Sequence, residues 1–423
     1  MLDIHFIRNH TDIIKEAARK KNITVDIDRL LAVDEDRRAV LQRVEHFRAE
    51  QNMVSKNIAT AATPDIKEQL LTEMRALKAD LQEYEERLKT IMEEWRMLML
   101  AVPNIPHISV PEGRGEEDNV EVATWGTLPQ FDFPVRDHVD IMKDLDMVDF
   151  ERGTKVHGFR GYFLKKDGAE LSWAIWNYAR DFFGARNFES FIAPAVVRKP
   201  YFYATGHLPN DAEDLFVTQD EDYLTGTSEV SMMGYYADEV LAASDFPKRF
   251  LAFSPCYRRE AGSHSKDTKG LIRVHEFYKL EQVVLCPADH QVSHELHEEI
   301  TRNFEMFLES LGIPYRRLLI CTGDLSASKV KQYDIEAWFP SQNQYRELAS
   351  ASYFHDFQTR RFNVRYKDAE GNMRFAHSLN NTAAATPRLL VALVENFQQA
   401  DGTVVIPEVL RPYMKKDILS HSL

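Results

Sequence analysis

The segment CYRREAGSHSKDTKGLIRVHEFYKLEQ, residues 256–282, places an unusual density of charge where a sheet is expected. A strand-like run ends in Arg258-Arg259-Glu260, small, basic and turn-forming residues follow, and alternation resumes through Arg273, His275 and Phe277 to Glu281. That pattern predicts two strands joined by a polar loop. Strand alternation then sets Arg258, Glu260, Arg273 and Glu281 on one sheet face. Four charges on one face of a central hairpin are costly to bury without partners. Two readings fit them. One is an internal ladder of ion pairs; the other is a site in which arginines receive an anion and carboxylates receive an ammonium group.

Three other segments carry the same kind of chemistry. NNTAAATPRLLVALVENFQ (380–398) passes from small residues into a helical apolar pattern, with Thr386 expected as helix cap and Pro387 at the first helical position. Arg388 then sits in the first turn, where a cation opposes the helix dipole and calls for another partner. TGTSEV (225–230) brings hydroxyls and a carboxylate together. YRELASAS (345–352) sets Glu347 and Ser350 among small residues, oxygen donors suited to a hard cation on phosphate. Each of these two is weak alone. A Walker loop, a G-x-G-x-x-G turn, HExxH and the Gly-x-Ser-x-Gly elbow are all missing from the sequence.

The chain of 423 residues is long enough for two or three domains, with 44% hydrophobic and 28% charged residues. Its formal charge of −14 argues against bulk attraction to nucleic acid and leaves room for a local basic face. Cys256, Cys286 and Cys321 are scattered and odd in number, which suits a reducing compartment. No apolar run reaches spanning length, and the N-terminus reads as neither signal nor transit peptide, so no membrane role is expected.

A heptad stripe runs through Val40, Val44, Phe47, Val54 and Ile58, and after the turn TAATPD resumes at Leu70, Met74, Leu77, Leu81, Tyr84, Leu88, Ile91, Trp95 and Leu98. Strict 4–3 spacing around a short Pro-containing turn predicts an antiparallel coiled-coil hairpin. From heptads alone, a scaffolding or dimerisation rod fits as well as any binding arm. Pro and Gly interrupt residues 102–119, which read as a linker. Beyond about residue 120, strand-like runs (RFLAFSPCYRRE, FYKLEQVVLC, YRRLLICTG, RFNVRYKD) mix irregularly with helices. That predicts an α+β body around a mainly antiparallel sheet flanked by helices. The expected division is 1–103 for the arm domain, 104–120 for the linker and 121–423 for the body.

In this order and spacing the segments resemble the three signature motifs of class II aminoacyl-tRNA synthetases, and within that class the seryl-tRNA synthetase family. GAELSWAIWNYARDFFGAR with the strand ending at Pro194 matches the first motif, YRREAGSHSKDTKGLIRVHEFYKLE the second, and the run ending at Arg388 the third. TGTSEV, CTGDLSASKVKQYDIEAW, YRELASAS and VIPEVLRPYM follow the family's wording and order. The resemblance spans essentially the whole chain.

It implies activation of L-serine by Mg-ATP to seryl-adenylate and transfer of serine to the 3′ end of tRNA(Ser), with tRNA(Sec) left open as a second acceptor. Arg258 would bridge serine and the α-phosphate and, with Arg388, carry catalysis. Serine would be read by Thr227, Ser228, Glu229, Arg258, Glu281, Asn380 and Thr382. ATP would lie among Arg258, Arg259, Glu260, Arg273, Val274, His275, Glu276, Phe277, Glu347, Leu348, Ala349, Ser350 and Arg388. Mg²⁺ would be held by Glu347 and Ser350. The resemblance further implies a tRNA-gripping arm, with Arg19, Lys20, Lys21, Arg37, Arg38, Arg43, Arg75 and Lys78 as candidate contacts, a homodimer through the first motif, and a cytoplasmic enzyme. Two related alternatives are a ligase that loads a carrier protein and a non-catalytic tRNA-binding paralogue. The third motif departs from the commoner glycine-rich form, since Asn381, Thr382, Ala383 and Pro387 stand in its place.

Overall fold

The alternating residues around the charged segment form the centre of a sheet in the computed structural model, which describes residues 1–262, 267 and 269–421. The chain divides into two compact units, Leu2–Pro103 and Asn104–Leu423, the second including Met1.

The first unit is helical. Short helices at Ile4–Asn9 and Thr11–Lys20 precede two long ones, α1 (Ile27–Ala59) and α2 (Pro64–Ala101). Helix α1 starts well before the heptad stripe. Thr63 caps α2 by accepting the Ile66 N–H, and Pro64 fills the first turn, where its missing donor costs nothing. With 38 residues, α2 is about 57 Å long at ~1.5 Å per residue. Partners pair in opposite directions along the two helices: Arg29 with Glu94, Phe47 with Tyr84 at 5.3 Å, and Arg48 with Glu85. This is an antiparallel hairpin.

The α2 stripe residues from Leu70 to Leu98 are all half-buried, while most residues between them are exposed. Two helices alone can cover only one side of each other. At the base the packing changes character. Buried Asp34 receives Arg8 Nε at 2.9 Å, Arg37 Nη2 at 2.8 Å and Trp95 Nε1 at 3.1 Å. Arg37, expected as a free surface cation, is thus spent on the hairpin itself, and Arg38 lies 3.5 Å from the same carboxylate. Arg19 pairs with Glu16 and Lys21 is buried. Arg43, Arg75 and Lys78 are exposed.

The second unit is built on eight strands: β1 (Val120–Trp125), β2 (Glu189–Ile192), β3 (Lys248–Tyr257), β4 (Glu276–Cys286), β5 (Tyr315–Leu319), β6 (Lys331–Phe339), β7 (Gln344–Tyr353) and β8 (His377–Thr386). Their order is β1-β5-β6-β7-β8-β4-β3-β2, antiparallel throughout except for the β2–β3 pair. Helices α3 (Asp167–Gly184), α4 (His290–Leu311) and α5 (Arg388–Asn396) pack on it around one apolar core. This is the α+β class expected, with a mainly antiparallel sheet flanked by helices.

Two expectations need correction. The run RFNVRYKD is not one strand: Phe357–Phe362 is helical and only Arg365–Lys367 is extended, because Asn363 adopts a left-handed φ of +55° and ends the helix there. Residues 104–119, though irregular, are fastened to the body. Asn104 is buried and donates to the carbonyls of Ser328 (3.0 Å) and Phe354 (2.7 Å), and Thr322 N–H donates to Pro111 O.

Candidate active site

The floor of the site is the β4–β8 pair. Alternation puts Phe277, Lys279 and Glu281 on one face of β4. Across the ladder Lys279 faces Ala385 and Glu281 faces Thr382, with one extra residue on β8 between these pairs. The intervening residues face the other way: Gln282 and Asn381 both donate to Ile300 O of α4, at 3.1 and 2.8 Å. So α4 covers the back of the sheet, and the front is left for ligands.

A second bulge builds the edge. Asp334 pairs with Ser350 and Glu336 with Glu347, with Leu348 as the additional residue on β7. Residues three apart in a regular strand point to opposite faces; this bulge brings Glu347 and Ser350 to the same one. The Ser350 hydroxyl is buried without a well-formed hydrogen bond, although Asp334 lies beside it. Burial first, then the Glu347 carboxylate, raises the Asp334 pKa.

The arginines stand around this floor. Arg258 lies over the Phe277 ring, 5.2 Å from its centroid, and its Nη2 is 3.4 Å from Gly226 O. Arg273 pairs with Glu260, whose φ is +55°. Arg388 donates from Nε to Ile272 O at 3.2 Å and from Nη1 to Glu347 O at 2.6 Å.

Arg258, Glu260 and Arg273 therefore do not sit on the strands as alternation suggested. They occupy the connection between β3 and β4, where their charges reach partners and solvent, and Glu281 alone of the four lies within a strand. Residues 263–266 and 268, the centre of the expected polar loop, lie outside the described residues. The capping expectation also fails. Thr386 is the last, buried residue of β8, paired with Tyr278, and Pro387 takes the cap position without any side-chain bond. Extended at the end of its strand, Thr386 lies one residue before the cap position.

One cleft is lined by Arg258, Glu260, Arg273, Val274, Phe277, Glu347, Leu348, Ser350, Thr382 and Arg388 from the expected set. Alternation along β4 could have found Lys279, also in the lining, which pairs with Glu281. Beside it lie the buried residues expected to read serine. Glu229 Oε1 accepts Gln358 Nε2 at 2.6 Å, Thr227 Oγ1 accepts Glu229 N–H at 3.3 Å, and Asn380 also reaches the Glu229 carboxylate. Desolvation raises the pKa of both Glu229 and Glu281; Lys279 opposes the shift at Glu281, and Glu229 adds to it. Ser228 instead turns away to bond Ala252 O at 3.1 Å.

Arg259, His275, Glu276 and Ala349 are not in the lining. Arg259 is exposed with its N–H on Asp214 O, and His275 packs on His157 and Phe159. Glu276 belongs to a neighbouring hollow, and Ala349 faces the core. Gln358 carried no signal in sequence, since nothing there shows that helix Phe357–Phe362 abuts Glu229.

The comparisons agree with this geometry. Residues 1–106 match the seryl-tRNA synthetase N-terminal domain, and residues 216–397 match the tRNA synthetase class II core domain (G, H, P, S and T). The serine–tRNA ligase of Deinococcus radiodurans is 45% identical over 415 residues, covering 98% of this chain and 97% of its own length. The chain belongs to the seryl-tRNA synthetase family.

Among solved structures, seryl-tRNA synthetase from Pyrococcus horikoshii complexed with ATP superposes with a TM-score of 0.89 at 34% identity, all of both chains being covered. The cytoplasmic serine–tRNA ligase of Naegleria fowleri in complex with AMP gives 0.85 at 31% identity, over 100% of this chain and 99% of that one. The cleft is thus set on a class II synthetase core, and among the described residues no helix is long and apolar enough to cross a membrane.

Proposed function

We propose that this cleft joins L-serine to Mg-ATP, giving seryl-adenylate and pyrophosphate, and then passes the seryl group to the 3′ end of tRNA(Ser). The observation that carries it is the juxtaposition of two buried carboxylates, Glu229 and Glu281, with a cleft ringed by Arg258, Arg273 and Arg388. Carboxylates with raised pKa gain most from a bound cation, here the serine ammonium. The arginines receive the triphosphate and the serine carboxylate.

Adenylation is an in-line attack on the α-phosphate, so the protein contributes positioning and charge neutralisation rather than a nucleophile. Arg258, held over Phe277, bridges the two reacting groups. Phe277 offers its ring to adenine and Glu260 accepts from the adenine amino group. Thr227 and Thr382 meet the serine hydroxyl; Asn380 and Glu229 fix the ammonium. A site built to bond a hydroxyl rejects alanine because its own polar groups would be left unpaired.

The residues at the edge fit magnesium. Ser350 has a buried hydroxyl lacking a well-formed partner, Glu347 shares its face, and all the donors are hard oxygens. Among the described residues no three His, Cys, Asp or Glu side chains form a metal cage, which suits an ion held mainly by substrate phosphates. When bound, the ion neutralises phosphate charge.

The hairpin arm is the tRNA grip, reading RNA by shape, with exposed Arg43, Arg75 and Lys78 as contacts. The full-length match, arm included, favours tRNA over a carrier protein as acceptor. The enzyme works in the cytoplasm as a homodimer through α3 and the edge strand β2, where Trp173 and Ile192 are 58% and 87% exposed; a monomeric mass in solution contradicts this.

The test of the reaction is serine-dependent ATP–pyrophosphate exchange. Glu281→Ala is expected to abolish it while the fold persists by circular dichroism, and near-normal exchange in that variant refutes the assignment.

A further inference from the structure

Glu395 is fully buried on α5, two turns along the same helix face as Arg388. Its Oε1 accepts the His138 backbone N–H at 3.1 Å and lies 2.9 Å from His138 Nδ1, and its Oε2 accepts the Ser341 N–H at 3.1 Å. His138, itself buried, accepts the Leu271 N–H at Nε2, 3.1 Å away. A backbone N–H can only donate, so Nε2 bears the lone pair and Nδ1 carries the proton toward Glu395. The carboxylate thereby sets the tautomer and the orientation of the ring.

The neighbouring residue reinforces this. Gly270 has a φ of +79°, and a Cβ there would lie 2.1 Å from His138 Nε2. The chain touches the imidazole so closely that a side chain is excluded. Next in sequence, Ile272 O accepts Arg388 Nε at 3.2 Å, and Arg273 follows. Helix α5 therefore grips the returning limb of the charged loop twice, through Arg388 on Ile272 and through Glu395 and His138 on Leu271. Neither His138 nor Glu395 lines the cleft.

We infer that His138, oriented by Glu395, is a positioning residue for ATP: it fixes Leu271 so that Arg273 and Arg388 present their guanidinium groups to one triphosphate. This rests on the reading of those arginines as phosphate ligands. The role is separable from serine binding, because Glu229, Glu281 and Thr382 sit on or against the β4–β8 floor and make none of these contacts.

The experiment is ATP–pyrophosphate exchange by the full-length enzyme, with KM measured separately for ATP and serine. Misplacing a phosphate ligand by a fraction of an ångström costs about tenfold, so His138→Leu is expected to raise KM for ATP by that order with KM for serine nearly unchanged. His138→Gln, whose amide can accept from Leu271 and donate to Glu395, is expected to restore most of the loss. Gly270→Ala perturbs the same contact from the loop side and should give the same ATP-selective rise, which keeps the test open if His138→Leu does not fold. Arg273→Ala is run alongside. If it raises KM for ATP while His138→Leu and Gly270→Ala do not, the positioning role is overturned and the phosphate reading stands. If Arg273→Ala itself leaves KM for ATP unchanged, the underlying reading falls and this role with it. Equal rises in both KM values, or no rescue by glutamine, also overturn it.

Discussion

Acidification should unfold the catalytic body through two buried histidines. His297 is 1% exposed, donates from Nε2 to Ala351 O at 3.0 Å and stacks on Tyr333 at 5.2 Å; burial brings its pKa down to about 4. His377 is 6% exposed, lies 2.8 Å from Ser293 Oγ, and is brought down to about 3 by burial and then by His290. Both start from 6.5 in the unfolded chain. Because the folded values are depressed, the unfolded chain takes up protons first as pH falls. Stability is complete above about 6.5 and is lost as pH drops toward the folded values. Each group costs up to about 1.4 kcal/mol per pH unit, and since the unfolded groups are half protonated at pH 6.5, the pair removes roughly 3 kcal/mol from about pH 6.5 to about pH 5.

Guanidinium unfolding at several pH values in that window measures this. The contrast is with His297→Gln, whose amide still reaches Ala351 O but does not titrate. Its stability should fall less steeply, by about 1.4 kcal/mol per pH unit, whatever the carboxylates common to both proteins contribute. Parallel slopes for wild type and variant would refute the argument. The outcome matters for the site because Ala351 lies on β7, the strand that carries Glu347 and Ser350.

Two further outcomes test the functional reading. Ser350→Ala should weaken Mn²⁺ binding to the ATP complex, read by electron paramagnetic resonance, by about tenfold or more, as loss of a ligand or its support does elsewhere; unchanged affinity removes Ser350 from the metal site. Deleting residues 1–103, nearly all of which form a separate compact unit, should leave adenylate formation within about threefold and abolish tRNA charging if the arm is the proposed tRNA grip; full charging by the shortened enzyme contradicts that role.

Much of the fold was legible because two periods dominate it. The 4–3 stripe of α2 coincides with its half-buried residues, and β3 and β4 fall almost where alternation placed them. What escaped was where a period breaks. Helix α1 begins at Ile27, before the heptads: Asp26 caps it, and Ile27, Leu30 and Val33 bury an apolar face at a spacing of three beside the buried Asp34, which is not the 4–3 stripe. The placement of Gln358 against Glu229, and of Glu395 through His138 against Leu271, joins residues 129 and, at the His138–Glu395 step, 257 positions apart. No local pattern records such contacts.

The site departs from period two at the places where its chemistry is concentrated. Glu347 and Ser350 share a face only because Leu348 is an extra residue in β7, and Thr382 faces Glu281 while Ala385 faces Lys279 only because β8 also carries an extra residue. A regular ladder would have sent one member of each set into the core. Bulges beside a site are therefore the means by which a rigid sheet re-aims side chains without giving up its pairing. The same logic resolves Arg388. Its cation opposes the dipole of α5, yet its planar fork reaches two carbonyls on different elements, Ile272 O and Glu347 O, at 3.2 and 2.6 Å. A lysine would bring the same charge without that fork. The residue is held by the loop and by β7 through the protein's own carbonyls, so the unfavourable dipole is offset within the protein, and on the proposed reading this placement is pre-organisation for a phosphate.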